Sequence, residues 1–142
     1  MAFRGTFDYS LDAKSRLTLP AKFRASLSGD VVLGRGTEPC VTIQTAEDFD
    51  AFVAESLAGM HQLAPERRRI ERYFSANAFP TKIDSAGRVM VPPRLMEHAG
   101  LKKDVVVAGV GDTLEIWDRD AWAAQDAEID IEEITARFGH PG

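Results

Sequence analysis

Cysteine is almost absent from this chain: Cys40 stands alone. No internal disulfide can form, and a thiolate metal cluster is excluded. Long apolar runs are missing as well, and nothing approaches the roughly 20 consecutive residues that a membrane helix needs. The opening Met1-Ala2-Phe3-Arg4-Gly5 has no apolar block of the kind a secretory signal carries, so a cytoplasmic protein is the expectation. Histidine is scarce and scattered, as His61, His98 and His140, with no spacing suited to a metal. No serine lies in a nucleophile-elbow pattern. Gly34-x-Gly36 and Gly109-x-Gly111 lack the rest of a phosphate loop and read as turns. Paired acids such as Glu132-Glu133 fall in a terminal tail that offers no means of tuning a pKa. The sequence therefore predicts no catalytic residues, no metal, no cofactor and no small-molecule ligand.

An excess of positive charge is also lacking, since the net charge is −5. Taken alone this argues against a nucleic-acid partner, but the distribution is uneven. Residues 104–142 hold ten acids and two bases, whereas residues 1–103 hold fifteen bases and twelve acids. Local patches set the field that a partner feels, so charge neither supports nor excludes DNA.

What the chain does have is a repeat. Asp12-Ala13-Lys14-Ser15-Arg16-Leu17-Thr18-Leu19-Pro20 returns 72 residues later as Asp84-Ser85-Ala86-Gly87-Arg88-Val89-Met90-Val91-Pro92. Each copy places Asp and Arg four apart, then alternating aliphatics, then Pro. Phe7 and Leu11 align upstream with Phe79 and Ile83. Downstream, Asp30-Val31-Val32-Leu33 aligns with Asp104-Val105-Val106-Val107 after a slip of two, and Phe49 aligns with Trp122. One unit of about 45 residues is present twice, within a length of 142 residues that suits one domain or two small units sharing a core.

Within each unit the periodicities predict short elements. Residues 5–11 read as a strand, Asp12–Arg16 as a tight hairpin turn, and Leu17–Leu19 as the returning strand. A three-residue hairpin loop needs a left-handed residue at its third position, filled by Gly87 in the second copy and by Ser15 in the first. Ser15 should strain the backbone there by roughly 1–2 kcal/mol. Pro20 and Pro92 end the strands and suit the start of short helices over 21–27, closed by Gly29, and over 93–99, closed by Gly100. Two more strands follow in each unit, over 31–33 and 40–43 and over 105–107 and 113–117, turned by Gly34-Arg35-Gly36 and Gly109-Val110-Gly111. Between the units, Thr45 with Asp48 has the spacing of a helix cap ahead of Phe49, Phe52, Val53 and Leu57, with Gly59 as a stop. A second helix starts near Pro65. Asp118 caps a helix over 121–127, and the acidic tail from Glu128 is expected to be frayed or to dock.

Arg16 and Arg88 are the principal site residues. A guanidinium on a tight turn can bond a guanine edge bidentately or bridge phosphates. From the residues alone, a second reading stands beside this one: Asp12 with Arg16, and Asp84 with Arg88, simply pair across the turn, as exposed ions often do.

The doubled Asp-x-x-x-Arg, the alternation and Pro that follow it, and the Arg67-Arg68-Arg69 helix ahead of Tyr73-Phe74 resemble the MraZ family of bacterial regulators. The resemblance covers the chain to about residue 125. Ser15 is a departure, because the family's first loop usually ends in Gly. The resemblance implies a mainly β fold with short helices: a swapped-hairpin, AbrB-like double-split β-barrel formed by two tandem repeats, plus linking helices. The corresponding units are 5–47 and 76–119, joined by linking helices over 48–75 and followed by a C-terminal helix and acidic tail over 120–142. It further implies a homo-oligomeric ring that binds short direct repeats in double-stranded DNA, in the promoter of a division and cell-wall gene cluster, and a cytoplasmic, nucleoid-associated location. Applied to the matching positions, it assigns DNA contact to Arg16 and Arg88, with Asp12, Asp84, Ser15 and Gly87 shaping the loops. Lys14, Lys22, Arg24 and Arg94 would then supply phosphate contacts, which position without reading sequence. The Arg67–Arg72 cluster stays outside the site. The competing class is an antitoxin-like interaction module built on the same small β unit.

Overall fold

The computed structural model describes residues 2–27 and 30–138. The first unit supplies β1 (Phe3–Ser10), β2 (Arg16–Thr18), α1 (Ala21–Arg24), β3 (Asp30–Arg35) and β4 (Val41–Thr45). Two linking helices follow, α2 (Ala46–Leu57) and α3 (Pro65–Ser75). The second unit repeats the order as β5 (Phe79–Lys82), β6 (Arg88–Met90), α4 (Pro93–Ala99), β7 (Asp104–Gly111) and β8 (Leu114–Asp118). The chain then runs through α5 (Arg119–Ala127) and α6 (Ile131–Arg137). No helix among the described residues is long and apolar enough to cross a membrane.

Most of the predicted helix signals act as expected, although α1 ends at Arg24, short of the expected residue 27. Thr45 Oγ1 accepts from the Asp48 N–H at 3.1 Å, and Asp118 Oδ2 accepts from the Ala121 N–H at 3.1 Å, so each cap satisfies one of the orphan donors of its helix. Pro65 and Pro93 open α3 and α4, where a missing N–H costs nothing. Gly100, in the left-handed region, closes α4. The Gly29 stop lies outside the described residues.

The strand pairing corrects the local hairpins. β1 and β2 flank a tight turn yet do not form a ladder with each other. β1 pairs antiparallel with β7 of the other unit, from Phe3↔Gly111 to Ser10↔Asp104. β5 likewise pairs with β3, and β2 with β6. The result is a six-stranded antiparallel sheet in the order β1-β7-β8-β4-β3-β5 and a two-stranded ribbon, β2-β6. Exchanging the units leaves both orders unchanged, so the molecule has an approximate internal two-fold. This crossing of strands between units is the interlocking that a swapped-hairpin arrangement requires.

Burial follows the same logic. Leu17, Leu19, Leu33 and Ile43 of the first unit, and Val89, Leu95, Leu114 and Ile116 of the second, belong to one continuous core. Neither unit closes a core of its own, as chains this short bury too little surface separately. At the crossing of β1 and β7, Gly109 lies so close to the Phe3–Arg4 backbone that any Cβ would collide with it. Gly109 is thus a close-approach residue rather than the turn residue predicted from its neighbours. The turns themselves fall later than expected: β3 continues through Arg35, with Gly36 N–H bonding the Cys40 carbonyl, and β7 continues through Gly111. Cys40 is 1% exposed, and burial, helped by Glu115 and Glu38, pushes its thiol up to about 12. Within the described part of the tail, Ile131–Arg137 form a helix where the sequence suggested a frayed or docking segment. Asp130 caps α6 by accepting from Glu133 N–H, and the acids of the first turn favour a helix N-terminus.

Because the ribbon turns Leu17 and Val89 inward at 0% and 2% exposure, Leu17→Ala should cost about 2–5 kcal/mol in urea unfolding. Met90→Ala, on the outer face, should stay within about 0.5 kcal/mol. Equal losses from the two variants would contradict this packing.

Candidate nucleic-acid interface

The two loops that carry the repeated motif are built alike, bond for bond. In the first, Asp12 Oδ1 accepts from the backbone N–H of Lys14 at 2.8 Å and of Arg16 at 2.9 Å, and Oδ2 accepts from Arg16 Nε at 2.7 Å. In the second, Asp84 Oδ1 accepts from Ala86 and Arg88 N–H, both at 2.9 Å, and Oδ2 accepts from Arg88 Nε at 2.9 Å. A backbone bond from the third loop residue back to the Asp carbonyl closes each turn: Ser15 N–H at 3.0 Å and Gly87 N–H at 2.9 Å. These bonds hold both carboxyls below the ordinary carboxylate range. The largest cause in each is the backbone N–H of the paired Arg, followed by the opposing cost of desolvation and then the Arg side chain.

The two readings of the Asp–Arg pair are therefore compatible. Asp engages only the Nε edge of each guanidinium, and the terminal Nη groups make no bond among the described residues. With side chains about one-third exposed on both sides, the pair adds little to stability. Its effect is orientation: the carboxylate holds the Nε edge of the fork and leaves the Nη end outside the pair.

The ribbon brings the two arginines together. Arg16 lies opposite Met90, and Thr18 lies opposite Arg88. Opposed residues share a face, as do alternate residues on one strand, so Arg16, Thr18, Arg88 and Met90 all occupy the outer face. Arg16 and Arg88 are diagonal neighbours, with a separation of about 7–8 Å at the backbone. Val91 N–H bonds the Ser15 carbonyl and Leu19 N–H bonds the Gly87 carbonyl, each at 2.9 Å, so each loop is stitched to the end of the other unit's strand.

The remaining predicted residues divide. Lys14 and Arg94 are exposed, Lys14 on the first loop and Arg94 on α4. Lys22 is exposed too, but its ammonium rests 4.8 Å from the Phe7 ring centroid and 5.3 Å from that of Phe23. Arg24 is engaged: its Nε bonds the Leu19 carbonyl at 3.0 Å, and its guanidinium covers Gly87 so closely that a Cβ there would collide with it. The corresponding residue of the second unit is Met96, which lines a recess with Ser15. This difference accounts for the odd loop. Both third positions are left-handed, φ 57° at Ser15 and 77° at Gly87, but only Gly87 lies beneath a guanidinium. Sequence reasoning missed Lys102 and Lys103, which line that recess beside the first loop. Leu11 N–H bonds the Lys103 carbonyl at 2.8 Å, a neighbourhood created by the pairing of β1 with β7 and invisible to local pattern. The arginine cluster sits on α3, whose packing partners are α2 and β3.

Comparison with known proteins agrees with the doubled architecture. The family described as "MraZ protein, putative antitoxin-like" matches residues 2–73 and again 74–138. The chain is 38% identical over 138 residues to the transcriptional regulator MraZ of Limosilactobacillus fermentum, covering 96% of each chain. It is 33% identical over 141 residues to the protein of the same name from Clostridium tetani, covering 99% of each. With that of Thermomicrobium roseum it shares 36% identity over 123 residues, covering 87% of this chain and 86% of the relative.

The loop geometry gives a stability test. Ser15→Gly should raise stability by about 1 kcal/mol by relieving a left-handed non-glycine residue. Gly87→Ala should lower it by more than that, because it adds strain and also displaces Arg24. Thermal melts of the two variants decide this, and a lower melting point for Ser15→Gly would contradict the account of the first loop.

Proposed function

The chain belongs to the MraZ family, and on that premise we propose that it is a sequence-specific DNA-binding regulator of transcription. In this reading Arg16 and Arg88 reach guanine edges in the major groove through their Nη groups. The single observation that supports it most is that one asparate-pinned arginine is built twice, and both forks leave the same face of one ribbon. A two-stranded ribbon is of a size that the major groove admits. Asp12 and Asp84 orient the forks, while Ser15 and Gly87 supply the left-handed turn. Lys14, Lys22 and Arg94 contact phosphates. Arg24 was assigned the same role from sequence, and its bond to the Leu19 carbonyl and its position over Gly87 suit it to supporting the second loop as well.

The proposed target is a set of short direct repeats in the promoter of a division and cell-wall gene cluster, met by a ring of copies in the nucleoid-bearing cytoplasm. The units assigned to this task are residues 5–47 and 76–119, with 48–75 as linking helices and 120–142 as helix and acidic tail. One ribbon offers few base contacts, and small modules bury only about 600–1,000 Å² on DNA. Several copies held rigidly together could raise affinity by about 10²–10⁴ without new contacts. The name shared by the relatives denotes regulators of transcription rather than a class of enzyme. The antitoxin-like reading draws on the wording of the family description and on α6, whose Ile131, Ile134 and the following Phe138 are exposed. A toxin gene beside this one would favour it.

Gel-shift measurements with repeat and scrambled duplexes test the main reading. Arg16→Ala or Arg88→Ala should cost about 1–3 kcal/mol and flatten sequence preference. Lys14→Ala should weaken all duplexes alike and lower the salt slope by about one. Unchanged binding by the double arginine variant would overturn the assignment. The assembly has its own check: repeats should recur near one helical turn, and inserting about 5 bp between them should abolish most of the affinity. Tight binding by a monomer indifferent to spacing would contradict the ring.

A further inference from the structure

The outer face of the ribbon carries four side chains, and the two that are not arginine differ. At equivalent positions of the repeat stand Thr18 and Met90. Threonine is an ordinary choice for an exposed strand. Methionine is not, and Met90 is 58% exposed, while its strand neighbours Val89 and Val91 are 2% and 1% exposed. The core makes no use of it. It faces Arg16 across the ribbon. The Ser15 carbonyl and Val91 N–H just beyond this pair are bonded to each other, so Arg16 and Met90 form the closer, non-bonded kind of cross-strand pair. Their Cβ atoms then stand about 4.5–5.5 Å apart. A fork that reads guanine from Arg16 would bring the flexible thioether of Met90 over an adjacent base pair.

The apolar group that the major groove offers at a base edge is the 5-methyl of thymine. We propose that Met90 is a specificity-determining residue that packs on the methyl of a thymine next to the guanine read by Arg16. Thr18, at the equivalent position opposite Arg88, carries its methyl on a shorter stem and reaches less far across the groove. The two ends of the ribbon therefore read different steps, although their arginines are held alike. This rests on the DNA-reading role of Arg16, and the test separates the two.

A duplex is first selected from a random library with the unmodified protein. Each thymine is then replaced singly by uracil, which removes only the methyl, and binding is followed by fluorescence anisotropy. One replacement, beside a guanine, should weaken the unmodified protein about fourfold, the worth of one methyl-sized group withdrawn from water. Met90→Ala should be indifferent to that same replacement, and Met90→Leu should retain the sensitivity. Met90 is exposed, so neither variant threatens the fold. If Arg16→Ala loses affinity while Met90→Ala responds to every uracil as the unmodified protein does, the role of Met90 is overturned and that of Arg16 stands. If Arg16→Ala binds the selected duplex unchanged, the role of both residues falls.

Discussion

One carboxylate in each loop organises the rest of the site. Asp12 and Asp84 each accept two backbone N–H groups and one guanidinium N–H. The backbone bonds fold five residues into a fixed turn, and the third fixes the arginine relative to that turn. A charged acceptor makes such bonds stronger than neutral ones. The spacing of four between Asp and Arg is what lets one side chain hold both the Arg backbone and its head group. In the proposed role, an unheld arginine would lose rotamer freedom on reaching a base, whereas one held in this way is already oriented, which would lower the cost of binding.

The second constraint is the interlocking of the units. β2 finds its partner only in β6, and the Ser15 and Gly87 carbonyls each bond the other unit. A single unit would leave Leu17 or Val89 without the facing strand that completes their layer of the core. The duplication and the shared arginine face are thus one property, since two arginines stand at a fixed diagonal because neither unit can form its ribbon alone. The approximate two-fold is broken where it meets side chains. Arg24 covers one loop where Met96 borders the other, and Met90 stands where the other strand has Thr18. Those differences leave the backbone of the loops intact and change what surrounds them.

Much of this was legible in the residues. The doubled motif, the prolines that end the ribbon strands, the Thr45 and Asp118 caps and the left-handed positions at Ser15 and Gly87 are local features, and local chemistry decides them. The pairing of β1 with β7 was not legible, because a tight turn is equally compatible with strands that pair each other or diverge. With it went Lys102 and Lys103, which approach the first loop only through that ladder. The engagement of Arg24 was hidden for a similar reason: an arginine on a short helix reads as a solvated cation until the strand of the other unit is placed beneath it. The glycines near β3 and β7 misled on the turns, because Gly109 is needed where two backbones cross.

The central claim is that each loop presents an oriented fork to a guanine edge. Replacing single guanines of a bound repeat by 7-deazaguanine, which removes one of the two acceptors a fork would use, tests it most directly. The account predicts that affinity falls at specific guanines, that Arg88→Ala abolishes the sensitivity at some of them, and that Arg16→Ala abolishes it at the others. Affinity indifferent to every 7-deaza replacement would contradict it, and would mean that the arginines touch only the backbone of the duplex.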